Sequence, residues 1–428
     1  MSLFELLEDP LKGQPRLDTA HRQAISLEVI DAINREFPAS RLEHPGEEEH
    51  RLVRERIQFL VGQGLMRRAL VIPASASQEL AADLARRLLG LGFLDLLLPP
   101  QRDDLSEIAV YSSGLVQVMK KGQVRWETVD LAPSAEEISR ILDRLLGPQN
   151  RSLNESNPTV NARLLRTLAI PGGGRIKALH PVITPPGRNA AFNLRLFEQK
   201  PVLPEWLLAR GLMNDAMMQD LAAAVQAGKR LLISGGTRTG KTTLLSALCN
   251  FLPPAWRILK IEDPEEIWID RPTVQTIEAR PQASGTEVRP YTLADGVDDA
   301  MRLSPDYLVI GEVRDGRAAQ ALFRALMTGH AGACTFHADS PSEAVARLAV
   351  LLGADAGVQK SDALPMIADA VDLLVQLGIR REMRRVTAIS RVVGVHPDNS
   401  VQMVPLWEWQ EDNSTPEPRW TCRSPEVH

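Results

Sequence analysis

The stretch LLISGGTRTGKTTLLSAL, residues 231–248, decides the fold. Leu231, Leu232 and Ile233 make a short apolar run of the kind a buried parallel strand shows. Gly235, Gly236, Thr237, Arg238, Thr239, Gly240, Lys241 and Thr242 then satisfy G-x-x-x-x-G-K-[ST] without a gap. Leu244, Leu245, Leu248 and Phe251 continue as one face of a helix that stops at Pro253-Pro254. The glycines let backbone N–H groups close around phosphate oxygens, and the helix N-terminus adds a favourable dipole. Lys241 is placed to reach β- and γ-phosphates and the Thr242 hydroxyl to take a Mg²⁺ position, with Thr243 next in line. A glycine turn before a structural helix is the plainer reading, but both flanks fit a nucleotide site.

Working outward, residues 201–428 alternate strand and helix, which argues for a parallel sheet. Ile258–Ile261 reads as the next strand, with Glu262, Asp263, Glu265 and Glu266 at its C-terminal end. Ligands of open α/β sheets gather at that edge. The carboxylate cluster is therefore a metal- and water-positioning site or else a solvated turn. Thr292 and Asp295 cap a helix running to Met301. Tyr307–Ile310 is a third apolar strand, ending at Gly311-Glu312. An acidic residue there suits activation of the attacking water, with Mg²⁺ held through water, where the alternative is a surface glutamate. His330 and His337 bracket a small-residue strand, Ala331–Phe336. His337, at its C-terminal end, is placed to contact a γ-phosphate or relay its loss. No thiolate or further ligand pair accompanies them, which speaks against zinc.

Upstream, residues 1–75 read as helical, with Ile25, Val29, Ile30 and Ile33 on one face and Leu52, Ile57, Leu60 and Val61 on another, parted by Pro45-Gly46. Residues 76–200 read as α+β. A helix at Ser77–Gly90 precedes strands at Glu107–Tyr111, Leu115–Lys120 and Val124–Val129, and a helix from Ser134 has Glu137 at the capping-box position. Val160–Phe197 alternates short strands with turns. Glu198–Pro204 reads as the linker.

At 428 residues the chain accommodates two or three domains. Its 44% hydrophobic and 24% charged content is that of an ordinary globular protein. A net charge of −5 and only 4% aromatics offer little for nucleic acid, so no direct nucleic-acid contact is expected. Three dispersed cysteines form no framework, no apolar run is long enough to span a bilayer, and the N-terminus lacks a secretory core. A cytoplasmic location is expected.

These motifs together resemble the type II/type IV secretion ATPases, and within them the tight-adherence (Flp) pilus assembly ATPases TadA/CpaF. GGTRTGKTT matches the Walker A motif, IEDPEE the aspartate box, RLSPDYLVIGEVRD the Walker B region and TGHAGACTFHADSP the histidine box. EARPQASGTEVRPYTLADGVDDAMR, LGLGFLDLLL, NESNPTVNARL and FNLRLF are similar to further family segments, so the likeness runs from about Leu84 to Trp407. It implies an α/β fold in which a RecA-like P-loop ATPase domain follows a PAS-like α+β N-terminal domain and a helical N-terminal segment. It also implies a homohexameric ring that hydrolyses ATP with Mg²⁺, attached peripherally to the inner membrane through a platform protein. By motif position Glu312 is the catalytic carboxylate, Glu266 helps place Mg²⁺ or water, and His337 couples phosphate state to domain movement. Arg195 is the leading arginine to close on the nucleotide, with Arg163, Arg175 and Arg280 behind it. Arg238 and Thr239 depart from the small residues usual at their positions, and Asn161 replaces a usual aspartate. A type IV secretion traffic ATPase, a RecA-like motor on nucleic acid and a nucleotide-binding assembly protein without turnover are the competing readings.

Overall fold

The structure, a computed structural model, describes residues 18–38, 42, 47–149, 151–167, 170–198, 200–280, 289–411 and 419–423. The Pro45-Gly46 break and the segment between Arg280 and Arg289 lie outside them. The chain divides into two compact units, Met1–Lys121 with Arg125–Phe197, and Gly122–Val124 with Glu198–His428.

In the first unit, helices α1 (Thr19–Glu36), α2 (Glu47–Arg67) and α3 (Ala74–Leu89) share an apolar core. Ile25, Val29, Ile33, Ile57, Leu60 and Val61 are buried there as their spacing predicts, while Ile30 packs at its edge. Leu52 is 48% exposed and Val53 takes the inward place. The 3.6-residue period carries Val53, Ile57, Leu60 and Val61 on one stripe, and Leu52 falls just off it.

Strands β1 (Leu105–Val110), β2 (Val116–Lys120), β3 (Glu127–Val129), β4 (Thr159–Leu164), β5 (Gly174–Leu179) and β6 (Ala191–Leu196) pair antiparallel in the order β3-β2-β1-β6-β5-β4. Helix α4 (Ala135–Leu146) lays Ile138, Ile141, Leu142 and Leu145 on one face of this sheet. Ser134 caps it, accepting from the Glu137 N–H (3.2 Å). The Glu137 carboxylate does not complete the expected box but accepts from the Phe93 N–H (3.0 Å), in the short 3-10 turn Gly92–Leu96 that follows α3.

The second unit opens with α5 (Pro204–Ala209) and α6 (Asp215–Gln226). It continues through β7 (Leu231–Gly235), α7 (Lys241–Leu248), β8 (Ile258–Glu262), β9 (Val274–Glu278) and α8 (Leu293–Ala300). Then follow β10 (Tyr307–Val313), α9 (Gly316–Met327), β11 (Ala331–Phe336), α10 (Pro341–Ala356) and α11 (Lys360–Ala370). Four strands close the chain, β12 (Leu373–Arg380), β13 (Met383–Val395), β14 (Val401–Trp409) and β15 (Trp420–Cys422). The sheet order is β15-β14-β13-β12-β7-β11-β10-β8-β9, parallel from β12 to β9 and an antiparallel meander beyond.

Period-two alternation splits this sheet between two helical layers. Leu231, Ile233, Val309 and Val375 meet α5, α6 and α7, whereas Leu232, Leu308, Ile310 and Leu374 meet α8 to α11. The Thr292–Asp295 capping box is present, with the helix giving way to a tighter turn from Met301. Strand β10 runs three residues past Ile310, so Glu312 sits within it. Among the described residues no helix is long and apolar enough to cross a membrane.

Candidate functional site

Strands β7, β11 and β10 are neighbours and parallel, so their carboxyl ends lie on one edge of the sheet. The loop 235–240 leaves the first of them and runs into α7. A Cβ on Gly235 would stand 2.5 Å from Thr239 Oγ1 and 2.9 Å from the Leu377 carbonyl, so glycine alone fits there. A Cβ on Gly236 would stand 3.0 Å from Asp339 Oδ1. Gly240, at φ 97°, turns the chain into the helix, and Thr239 Oγ1 donates to the Gly236 carbonyl (2.9 Å).

Lys241 curls its ammonium over the loop, donating to the carbonyls of Gly235 (2.9 Å) and Gly236 (3.0 Å). Thr237 and Arg238 are exposed on the loop crest, and Arg238 adopts φ 62°, a conformation that favours glycine. Thr242 and Thr243 are half-buried on the first turn of α7. A tight glycine cradle, a helix N-terminus and a lysine ammonium are the features that a phosphate site needs. The donor set fits a nucleotide with its cation at Thr242.

At the end of β8 the four carboxylates separate by role. Lys260 and Glu262, both almost fully buried, form an ion pair of 3.2 Å, and Lys260 also pairs with Glu265 (2.7 Å). Glu262 accepts from the N–H groups of Glu266 (3.1 Å) and Ile267 (3.0 Å), which ties the turn to the strand. Burial pushes the Glu262 carboxyl up to about 7, against the opposing pull of the Lys260 charge. Asp263 is exposed and Glu266 half-buried. Glu262 and Glu265 are thus committed to the buried ion cluster, and Glu266 rides on the turn they fix.

Glu312 and His337 come together. They line a cavity of about 390 Å³ with Arg314, Phe336 and Arg347. Arg314 donates from Nε to Glu312 Oε2 (2.8 Å), holding the carboxylate in the cavity. His330 occupies the amino end of β11, on the opposite edge of the sheet, where Nδ1 lies 3.2 Å from the Ala325 carbonyl.

In the first unit Arg163, Arg175 and Arg195 are directly opposite one another across β4, β5 and β6, followed by Glu107 on β1. Like charges directly opposite one another oppose strand pairing, and the row gathers three arginines on one face of this sheet. Asn161 accepts from Arg175 Nε (3.0 Å). Arg280 bridges to Tyr291 through the backbone, with its side chain exposed. Sequence reading missed Asp339, brought beside Gly236, and Arg384 of β13, whose Cδ is 3.7 Å from a Cβ placed on Gly240. Their signal is non-local, since both lie about a hundred or more residues beyond the loop.

The profile of the family described as "Type II/IV secretion system protein" matches residues 136–400. A Mycobacterium tuberculosis protein, provisionally named for conjugal transfer, is 31% identical over 326 residues, 76% of this chain and 90% of that one. The type IV secretion system protein VirB11 of Bartonella quintana is 28% identical over 298 residues, 61% of this chain and 81% of that one. Among solved structures, the Legionella pneumophila ATPase DotB matches with a TM-score of 0.47 at 18% identity, covering 71% of this chain and 76% of that one.

Proposed function

The chain belongs to the type II/IV secretion system protein family, a family of nucleotide-binding ATPases, and from that footing we propose that it is an ATP-driven motor of Flp/type IV-like pilus assembly or type II-like secretion. One observation carries the reading: Glu312 near the carboxyl end of β10, His337 just past that of β11, and Lys241 at the end of the loop that leaves β7 all belong to one edge of three adjacent parallel strands. Lys241 and the loop N–H groups would hold the phosphates, and the Thr242 hydroxyl would take the cation, with Glu266 and Glu312 its acidic partners, in part through water. Bound Mg²⁺ supplies charge neutralisation along the β- and γ-phosphates. Glu312 takes the proton of the attacking water. His337, in the same cavity, senses the departing phosphate.

In this reading a PAS-like domain spans 76–200 and carries the arginine row led by Arg195, the ATPase domain spans 201–428 and carries Arg280, and the helices of 1–75 are an appended segment. Six copies form a ring on the cytoplasmic face of the inner membrane, docked on a platform protein. Hydrolysis per subunit measured against protein concentration tests this, with Glu312→Gln alongside. A rate that rises on assembly and vanishes in the variant supports the motor. A rate independent of concentration that survives Glu312→Gln overturns both ring and base. A type IV secretion traffic ATPase is the second reading, favoured by the names of the conjugal-transfer and VirB11 relatives. Recovery of the chain with pilus or with conjugation components from its native membrane separates the two.

A further inference from the structure

The phosphate loop has a second source of positive charge nearby, supplied from far along the chain. Strands β12 and β13 are joined by a two-residue turn, Arg381–Glu382, with φ of 49° and 62°, closed by the Arg380–Met383 pair. The tip carries Arg380, Arg381, Arg384 and Arg385 around a lone Glu382. Strand β12 runs parallel beside β7, so this tip lies at the edge from which the loop departs.

Two close approaches locate it. The Leu377 carbonyl of β12 abuts Gly235, and the Arg384 stem lies against Gly240, the residue that opens α7. Arg384 Nη2 donates to the Gln123 carbonyl (3.0 Å), which fixes the guanidinium at that place. Its neighbours are turned to other tasks: Arg380 pairs with Glu411 (3.2 Å), and Arg385 donates to the Arg210 carbonyl (3.0 Å). Burial and then the Arg381 charge lower the Arg385 pKa, a mark of how crowded with cations the tip is.

We propose that Arg384 is a nucleotide-contacting residue, laying its guanidinium along the α- and β-phosphates from the hairpin side of the loop. The proposal rests on the phosphate-loop reading and adds a contact that the Walker motifs do not contain. Lys241 serves the β- and γ-phosphates, whereas Gly240 marks the helix end where the α/β linkage sits. A planar fork grips such oxygens in a way that an ammonium does not. If Arg384 merely ties the hairpin to Gln123, its loss changes stability and leaves nucleotide affinity alone.

The test is binding of a fluorescent ADP analogue to the full chain, in wild type, Arg384→Gln, Arg384→Lys and Arg381→Gln. Arg384→Gln should weaken binding about tenfold or more, as expected for a lost charge-assisted contact. Arg384→Lys should recover only part of the loss, and Arg381→Gln should stay within about twofold of wild type. For Arg384→Gln the loss in kcat/KM should exceed any loss in kcat, so the effect falls mainly on KM. Equal affinity in wild type and Arg384→Gln, or equal losses in Arg384→Gln and Arg381→Gln, overturns the proposal while the phosphate-loop reading stands. If Arg384→Gln does not fold, wild-type affinity in Arg384→Lys likewise overturns it. A wild-type chain that binds no ADP overturns both.

Discussion

Lys260 and Glu262, two residues apart on one strand, form a 3.2 Å ion pair with side chains only 3% and 2% exposed. Their partners are Glu265 and the backbone of the 263–267 turn, so this pair sets the geometry of the turn that presents Glu266. At pH 8, where the carboxyl is ionised, Glu262→Gln leaves Lys260 with one carboxylate fewer in a buried site and should cost about 3 kcal/mol, near the low end for a broken buried pair because Glu265 remains. Denaturant midpoints at fixed slope measure it.

The same carboxyl gives the fold a pH dependence of definite sign. Its folded pKa is raised from 4.5 to about 7. Between those values the folded chain keeps a proton that the unfolded chain has released, so stability falls as pH rises through the window. The slope is at most about 1.4 kcal/mol per pH unit for one proton. Melting temperatures from pH 5 to 7 should decline on this account, and Glu262→Gln should flatten the decline. A variant whose profile matches wild type would refute the assignment.

Glycine positions divide sharply by what surrounds them. Gly235 has oxygen atoms at 2.5 and 2.9 Å from the place a Cβ would occupy, whereas Gly62, inside α2, has nothing within 4 Å. Gly235→Ala should abolish detectable ADP binding and cost roughly 1–3 kcal/mol through displacement of the loop. Gly62→Ala should stabilise by about 0.5–1 kcal/mol with binding unchanged. Parallel melts and ADP titrations of the two variants check both.

How much of this was legible follows from how local each signal is. Walker A, the capping residues Ser134 and Thr292, and the strands around Leu231, Ile258 and Ala331 announce themselves within a few residues. The β12–β15 meander does not, because its strands are placed by partners: Trp407 Nε1 donates to Asp220 (2.7 Å), nearly two hundred residues back. The aspartate box could be located but not apportioned, since only burial shows that Glu262 faces inward to Lys260 while Asp263 faces water. Arg384 carries no motif of its own. What places it is a parallel β7–β12 pairing that no local window contains.

Arg238 stands at φ 62° on the crest of the loop, where L-residues pay roughly 1–2 kcal/mol relative to glycine. Part of that is returned in Arg238→Gly by the greater freedom of glycine in the unfolded chain. The variant should therefore gain about 0.5–1 kcal/mol, or roughly 2 °C in melting temperature for a domain of this size. On the proposed phosphate-loop reading the charge it removes lies beside the phosphates, so KM for ATP should rise several-fold with kcat retained. A scanning melt and a steady-state titration of ATP separate the two effects. An unchanged KM would place the guanidinium out of reach of the nucleotide.

Arg314 holds Glu312 through a short contact of 2.8 Å, yet its own side chain is 47% exposed. An ion pair so open to water contributes little to folding, of the order of 0–1 kcal/mol. Its consequence lies in where the carboxylate points. As the proposed base, Glu312 would present one oxygen to a water, and a general base that wanders loses the alignment on which proton transfer depends. Arg314→Ala should leave the melting temperature within about 2 °C of wild type and ADP affinity within about twofold, while kcat falls about tenfold. Arg314→Lys, which keeps a charge but not the Nε–H donor, should recover part of the rate. Single-turnover hydrolysis distinguishes this from slowed product release. If the chemical step is as fast in Arg314→Ala as in wild type, the pair is ornamental, and Glu312 is oriented by something else in its cavity, with His337 the first residue to substitute next.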